Sequence, residues 1–490
     1  MRYHTRLLTF LLVVFLTGCL PTPRSMDLSG NFLQTSTPSP STTQLPTRPL
    51  YSPGELVDYN AQEGDNLPAL AKHFNTTVPE IRTANPIIPI DATTMPPGMP
   101  MKIPIYYQSL WGTQFHILPD SLFVNGPADV GFDSTTFVDS QPGWLKYYVA
   151  AAGGVEKRGG EMVDYVATNF SISPRLLLAI IDMQSGALSV PATQVPDDPY
   201  PLGNASRDKR GLYAQLLWEV NVLNNGYYGW RIGRLSSFDH NDGRMERPDP
   251  WQNAATVAIQ YYFSKVLDRA SYEKATNAAG LLKTYQDLFN TDPWKSPSIN
   301  IPGSLAQPAL RFPFLPGKTW AFTGGPHTGW GDGDPFAAVD FAPPAVKGGC
   351  IPTEEWATAA ADGVISRSGS AIVVLDLDGD GDERTGWVIF YLHLATNGLI
   401  AAGTHVKAGD PLGHPSCEGG KATGTHVHIA RKYNGEWIPA DGTLAFDLEG
   451  WTAHNGAAVY KGTLTKFTRT VIACDCSNQE SLVHSEIVQH

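Results

Sequence analysis

The spacing of apolar and polar positions changes several times along the 490 residues. Residues 7–16, "LLTFLLVVFL", form an apolar run interrupted by Thr9 alone, behind Arg2 and Arg6. Residues 20–50 are rich in Pro, Ser and Thr and have almost no hydrophobic period. From about 110 to 300 apolar residues recur at helical spacing, as in "GEMVDYVATNF" and "SPRLLLAIIDMQSG", where Ser173 is placed to cap a helix that Pro174 begins. The last third alternates with period two between Gly and Pro turns, in "GVISRSGSAIVVLDLDGDGD", "TGWVIFYLHLA" and "GTHVHIARKY", and predicts antiparallel strands.

Composition narrows this picture. At 42% hydrophobic and 17% charged, the chain has the makeup of a globular protein of several domains. Its net charge of −12 offers no basic surface for phosphate backbones, so nucleic acid is excluded as an expected partner.

The N-terminal run is too short to favour a membrane-spanning helix and reads as an export signal over residues 1–19. Its "LTGC" ending resembles the lipobox of bacterial lipoproteins, which implies acylation of Cys19, a lipid anchor and an extracytoplasmic location at the envelope of a bacterium. Residues 20–50 then read as a tether that, extended at roughly 3 Å per residue, reaches about 90 Å.

Residues 51–106 carry Tyr59, "EGDNL", "LAKHF", Val78, Ile81, Asn85 and "MPPGMPMKIPI" in order. This resembles a LysM module, which implies a βααβ fold and binding of N-acetylglucosamine-containing glycans. The same pattern also suits a small βααβ domain without a ligand. In the helical region, "LLLAIIDMQSGAL" and "GLYAQLLWEVN" resemble lysozyme-like transglycosylases. The position of the catalytic acid is Gln184, which has no proton to give a glycosidic oxygen, and Asp182 would point elsewhere on a helix. Residues 110–300 therefore read as a degenerate lysozyme-like domain without glycosidase chemistry. Either Tyr227, Tyr228 and Trp230 keep a glycan contact or the domain is a helical spacer.

The remaining motifs are "GGPHTGW", "AVDFAPP", "ADGVI", "FYLHLA", "VKAGDPLG" and "ATGTHVHIA". Their order resembles the M23 family, the lysostaphin-like zinc endopeptidases, and places a peptidase domain over 305–475 with a tail at 476–490. The resemblance implies that His327, Asp340 and His428 hold one zinc ion while His393 and His426 assist. On an extended strand His426 and His428 share a face with Val427 behind them, so one imidazole can bind while its neighbour serves the reaction. Such a zinc lowers the pKa of water to about 7 and polarises a scissile carbonyl. The usual pair is His-x-x-x-Asp, whereas residues 328–339 separate His327 from Asp340, so "GWGDGDPFA" reads as an inserted loop with Asp332 and Asp334 as alternative ligands.

His405 and His414 read as surface or turn residues. Asp376, Asp378, Asp380 and Gly381 match the start of a calcium loop, but Trp387 stands where a bidentate Glu is needed, so Ca2+ is secondary to a solvated turn. Of the cysteines left after Cys19, Cys350 and Cys417 flank motifs of the zinc site and form the preferred disulfide. Cys474 and Cys476 then form a short strained loop or stay reduced.

The fold class expected is multidomain α+β, with a LysM module, a helical middle domain and a C-terminal antiparallel sheet. The expected function is a wall-anchored zinc metalloendopeptidase cutting peptidoglycan stems or cross-bridges. The alternative is a non-catalytic peptidoglycan-binding lipoprotein that activates a separate amidase.

Overall fold

The computed structural model describes residues 48–345 and 347–487. The signal segment, Cys19 and most of the tether lie outside them. Strands Glu55–Asn60 and Pro100–Ile105 pair antiparallel around helices Leu67–His73 and Val78–Ala84, giving a βααβ order. Asn66 accepts from the Ala69 amide at 3.0 Å, and Thr77 with Glu80 forms a capping box, so both short helices start on side-chain caps. Leu70, Phe74, Ile81 and Ile103 fill the space between helices and strands.

Helices Gly159–Phe170, Pro174–Ser185, Leu212–Arg231, Ala254–Val266 and Leu281–Phe289 make the middle region. Ser173 accepts from the Leu176 amide and Pro174 opens the following helix. Gln184 is tied inside, taking a hydrogen bond from Tyr262 Oη at 2.8 Å and donating to the Leu202 carbonyl. Asp182 is spent on the helix end, where it accepts from the amides of Leu188 and Ser189. Tyr227 and Tyr228 are fully buried and Trp230 is 4% exposed, so these aromatics build the core and are not available to a glycan.

The C-terminal region is built on an antiparallel sheet in the order His405–Val406, Gly363–Gly369, Ile372–Asp376, Trp387–Leu392, Val427–Tyr433, Ala338–Ala342, Thr319–His327, Leu482–His484. The last of these pairs with the start of Thr319–His327, so part of the expected tail at 476–490 is an edge strand. The period-two alternation sorts the side chains onto two faces. Val373, Leu375, Ile389, Tyr391, Val427 and Ile429 turn toward a core with Trp320, Phe341 and Trp451. Their neighbours Ile372, Val374, Val388, Phe390, Leu392 and Ala430 join the core of the helices. Both faces are therefore buried, and the helical and β regions share one apolar interior across the boundary expected near residue 300.

Candidate metal centre and cleft

His428 belongs to the second set. On strand Val427–Tyr433 it points toward the helices, while Val427 and Ile429 pack behind it. In the ladder His428 stands directly opposite Asp340, and Asp340 stands opposite Gly324 on the next strand. A side chain at Gly324 would run into the Asp340 carboxylate, so a residue without Cβ is needed there. His327 closes the same strand.

The three side chains converge. His327 Nε2 is 3.2 Å and His428 Nδ1 3.3 Å from Asp340 Oδ1, and the two nitrogens are 3.0 Å apart. Main-chain carbonyls assign the tautomers, because only a protonated nitrogen can bond to them. His327 Nδ1 donates to the Gly325 carbonyl at 2.9 Å, and His428 Nε2 donates to that of Gly329 at 3.0 Å. That leaves His327 Nε2, His428 Nδ1 and Asp340 Oδ1 facing one point as bare acceptors, and Asp340 Oδ1 is buried with no hydrogen-bond partner. Three converging lone pairs repel unless a cation lies among them, so the donor set fits a metal ion; among the described residues it is one of two such groups. A proton on His327 Nε2 is the alternative to a cation at that point: burial opposes charge on both His327 and Asp340, yet the attraction of the protonated ring for the carboxylate wins, so His327 is raised and Asp340 is held well below the usual carboxylate range. His428, more completely desolvated and beside His327, is lowered.

The other two imidazoles are oriented in the same way. His393 Nδ1 donates to the Glu418 carbonyl and His426 Nδ1 to that of Gly424, each at 2.7 Å. The rings lie 4.5 Å apart, centre to centre, and His426 Nε2 is 3.8 Å from the second Asp340 oxygen. Burial, then the neighbouring His426 and His428, lowers His393 to about 4, so it is neutral near pH 7.

Asp332 and Asp334 stand apart from this cluster. The Asp334 carboxylate pairs with Arg234, and the Asp332 amide is held by Asn221. His405 is exposed on a short strand, and His414 packs on Trp356 and bonds to the Glu355 carbonyl. Asp376, Asp378 and Asp380 also gather closely, but Asp376 already accepts from the amides of Gly379 and Gly381. Cys350 and Cys417 form a disulfide with Cα atoms 5.7 Å apart, and Cys474 is bonded to Cys476.

The cluster of His327, Asp340 and His428 opens into a cleft of about 1850 Å³ between the sheet and the helices. Tyr460, stacked on His327 at 4.2 Å, lines it on one side, and Tyr213 and Trp218 line it on the other. Sequence reasoning missed Tyr460 and the four orienting carbonyls. A Gly-x-His pattern at 325–327 and 424–426 was the available signal, since in both places the ring bonds to the carbonyl two residues back.

Comparison with known proteins bears on both halves of this cleft. A family model described as "LasA, N-terminal domain" matches residues 116–302. "Protease LasA" of Pseudomonas aeruginosa is 25% identical over 342 residues, covering 66% of this chain and 75% of its own. The chain is similar in sequence to protease LasA over both regions. "Beta-lytic metalloendopeptidase" of Lysobacter enzymogenes is 29% identical over 169 residues, 33% of this chain and 88% of the relative. A solved structure described as a novel M23 metalloprotease, pseudoalterin from the deep sea, is 25% identical with a TM-score of 0.30, covering 34% of this chain and 96% of its own. The relatives named as a protease and a metalloendopeptidase support a metalloendopeptidase. The match over 116–302 attaches the helical region to LasA; the lysozyme-like resemblance rests on its short sequence stretches alone.

Proposed function

We propose that the protein is a zinc metalloendopeptidase that hydrolyses peptide bonds in peptidoglycan stems or cross-bridges. The convergence of His327 Nε2, Asp340 Oδ1 and His428 Nδ1 at the floor of a wide cleft carries this reading. A zinc ion held by these three atoms would supply Lewis-acid polarisation of the scissile carbonyl and an activated water. The chain's own residues do the rest. His393 and His426, each with Nδ1 fixed on a carbonyl, turn Nε2 toward the cleft, where its lone pair can take a proton from the attacking water and, once protonated, donate to the developing oxyanion. The complete ligand set favours catalysis over an activator role, in which ligands would be dispensable.

The peptidoglycan substrate is supported by the resemblance of residues 51–106 to a LysM module, whose region has the βααβ order such modules use. The lipobox at Cys19 supports a lipid anchor on the envelope. Purified protein should carry close to one equivalent of zinc and release new free amino groups from peptidoglycan without new reducing ends or anhydro-sugars, since Gln184 cannot supply a proton. Protein that neither holds zinc nor cuts peptidoglycan when zinc is added would transfer the assignment to the activator.

A further inference from the structure

The Gly329 carbonyl that fixes His428 belongs to the long loop between His327 and Asp340, and that loop is gripped from the helices. Asn221 and Asn225, one turn apart on Leu212–Arg231, present their side-chain oxygens to successive turns of its backbone. Asn221 Oδ1 accepts from the Asp332 amide and Asn225 Oδ1 from the Asp334 amide, both at 2.7 Å. Arg234, just beyond the helix, pairs with the Asp334 carboxylate. Gly331 and Gly333 have φ of +86° and +90°, and a side chain at either would strike Asn221 or Asn225. Trp330 is wedged between Phe170 of the helices and Phe390 of the sheet, with ring centres 6.4 and 5.9 Å away. The loop also folds on itself, with Thr328 donating to the Gly333 carbonyl and the Gly329 amide to that of Pro335.

We infer that Asn221 and Asn225 are positioning residues for the metal centre: through the loop they hold the Gly329 carbonyl against His428 Nε2, and so fix the tautomer and aim of the His428 ligand atom. This rests on the reading of His327, Asp340 and His428 as a zinc site. A metal-bound imidazole depends on the group that takes its other N–H, and losing such a partner costs about 10–100-fold in metal affinity. Here the partner is a loop carbonyl, which has no side chain to hold it and depends on the clasp from the helices. The helical region thus acts on the metal without contributing a ligand.

The test is zinc affinity of the full chain by chelator competition, together with the visible spectrum of the cobalt-substituted protein. Asn221→Ala/Asn225→Ala should raise the zinc dissociation constant by about 10–100-fold and alter the cobalt bands. Leu217→Ala, on the same helix and lining the cleft but bonding nothing in the loop, should bind zinc normally. If the double variant fails to fold, Arg234→Ala loosens the loop from its other anchor and should weaken zinc in the same sense. Wild-type affinity in a folded double variant, or in Arg234→Ala where that variant stands in for it, overturns the inference and leaves the zinc site standing. Absence of zinc from the wild-type protein overturns both.

Discussion

Each of the four imidazoles in the cleft gives one ring nitrogen to a main-chain carbonyl, so the job of the other nitrogen can be separated by substitution. His428→Ala should empty the site of zinc, because it removes one of three ligand atoms. His426→Ala should retain the metal and lose turnover by about 100-fold or more, the loss expected when a positioned acid or base is removed. Equal loss of zinc in both variants would show that their roles are exchanged. Asp340→Ala removes the only anionic ligand of the cluster and should release zinc. Asp332→Ala leaves intact the backbone amide that Asn221 holds, and metal analysis should find it unchanged. Zinc lost from Asp332→Ala but kept by Asp340→Ala would move the ligand into the loop.

Between elements, the helix Leu67–His73 meets the end of helix Leu212–Arg231 through one stacked pair. The rings of His73 and Trp230 lie 3.5 Å apart, centre to centre, and His73 Nε2 is 3.0 Å from the Trp230 carbonyl. Desolvation lowers His73 from 6.5 to about 3, only partly opposed by that carbonyl. The sign follows from proton uptake. Between pH 6.5 and about 3 the unfolded chain binds a proton that the docked ring refuses, so stability is complete above 6.5 and falls as pH drops through this window. His73 therefore lowers the wild-type thermal unfolding midpoint with acid across this range, against the opposite pull of the raised Glu63 and Asp65 carboxyls, and His73→Gln should remove its share of the pH dependence. Parallel curves for the two proteins would remove His73 as the sensor.

At the scale of the molecule, one buried charge network joins all three regions. Arg231 Nε is 3.0 Å from Glu436 of the sheet region, its Nη2 is 3.2 Å from Asp120, and its Nη1 donates to the Glu63 carbonyl of the βααβ unit. Tyr227 also donates to Glu436 at 2.8 Å. Burial pushes Glu436 up, against the pull of Arg231. Glu436→Ala leaves Arg231 with Asp120 as its charged partner but takes the acceptor from the buried Tyr227 hydroxyl, so it should cost about 1–3 kcal/mol in denaturant unfolding. Because the helices and the sheet share an interior, wild-type protein should unfold with coincident fluorescence and circular-dichroism transitions. Separate transitions for helix and sheet would show that the two regions are independent. The Cys350–Cys417 bond closes 67 residues of chain, and Cys350→Ser/Cys417→Ser should cost up to about 4 kcal/mol.

Much of this was legible along the chain because it depends on short-range order. Period-two alternation placed His428 on one face and Val427 on the other, and the Ser173-Pro174 start needs only neighbouring residues. The His-x-His spacing and the motif order singled out five side chains that the structure brings together, His327, Asp340 and His428 with His393 and His426 beside them. What needed the tertiary structure was long-range. The apolar character of Tyr227, Tyr228 and Trp230 was visible, but whether they faced solvent or core depended on distant segments, Glu436 and Trp437 at the two tyrosines and His73 at Trp230. Asp332, Asp334 and Asp340 are equivalent as acidic residues, and pairing with His428 across a ladder, against pairing with Arg234, distinguishes them. The grip of Asn221 and Asn225 on the loop joins positions more than a hundred residues apart in sequence. Such contacts form only when folding brings distant segments together, and a hydrogen bond to a backbone amide places no demand on the residue type that offers it.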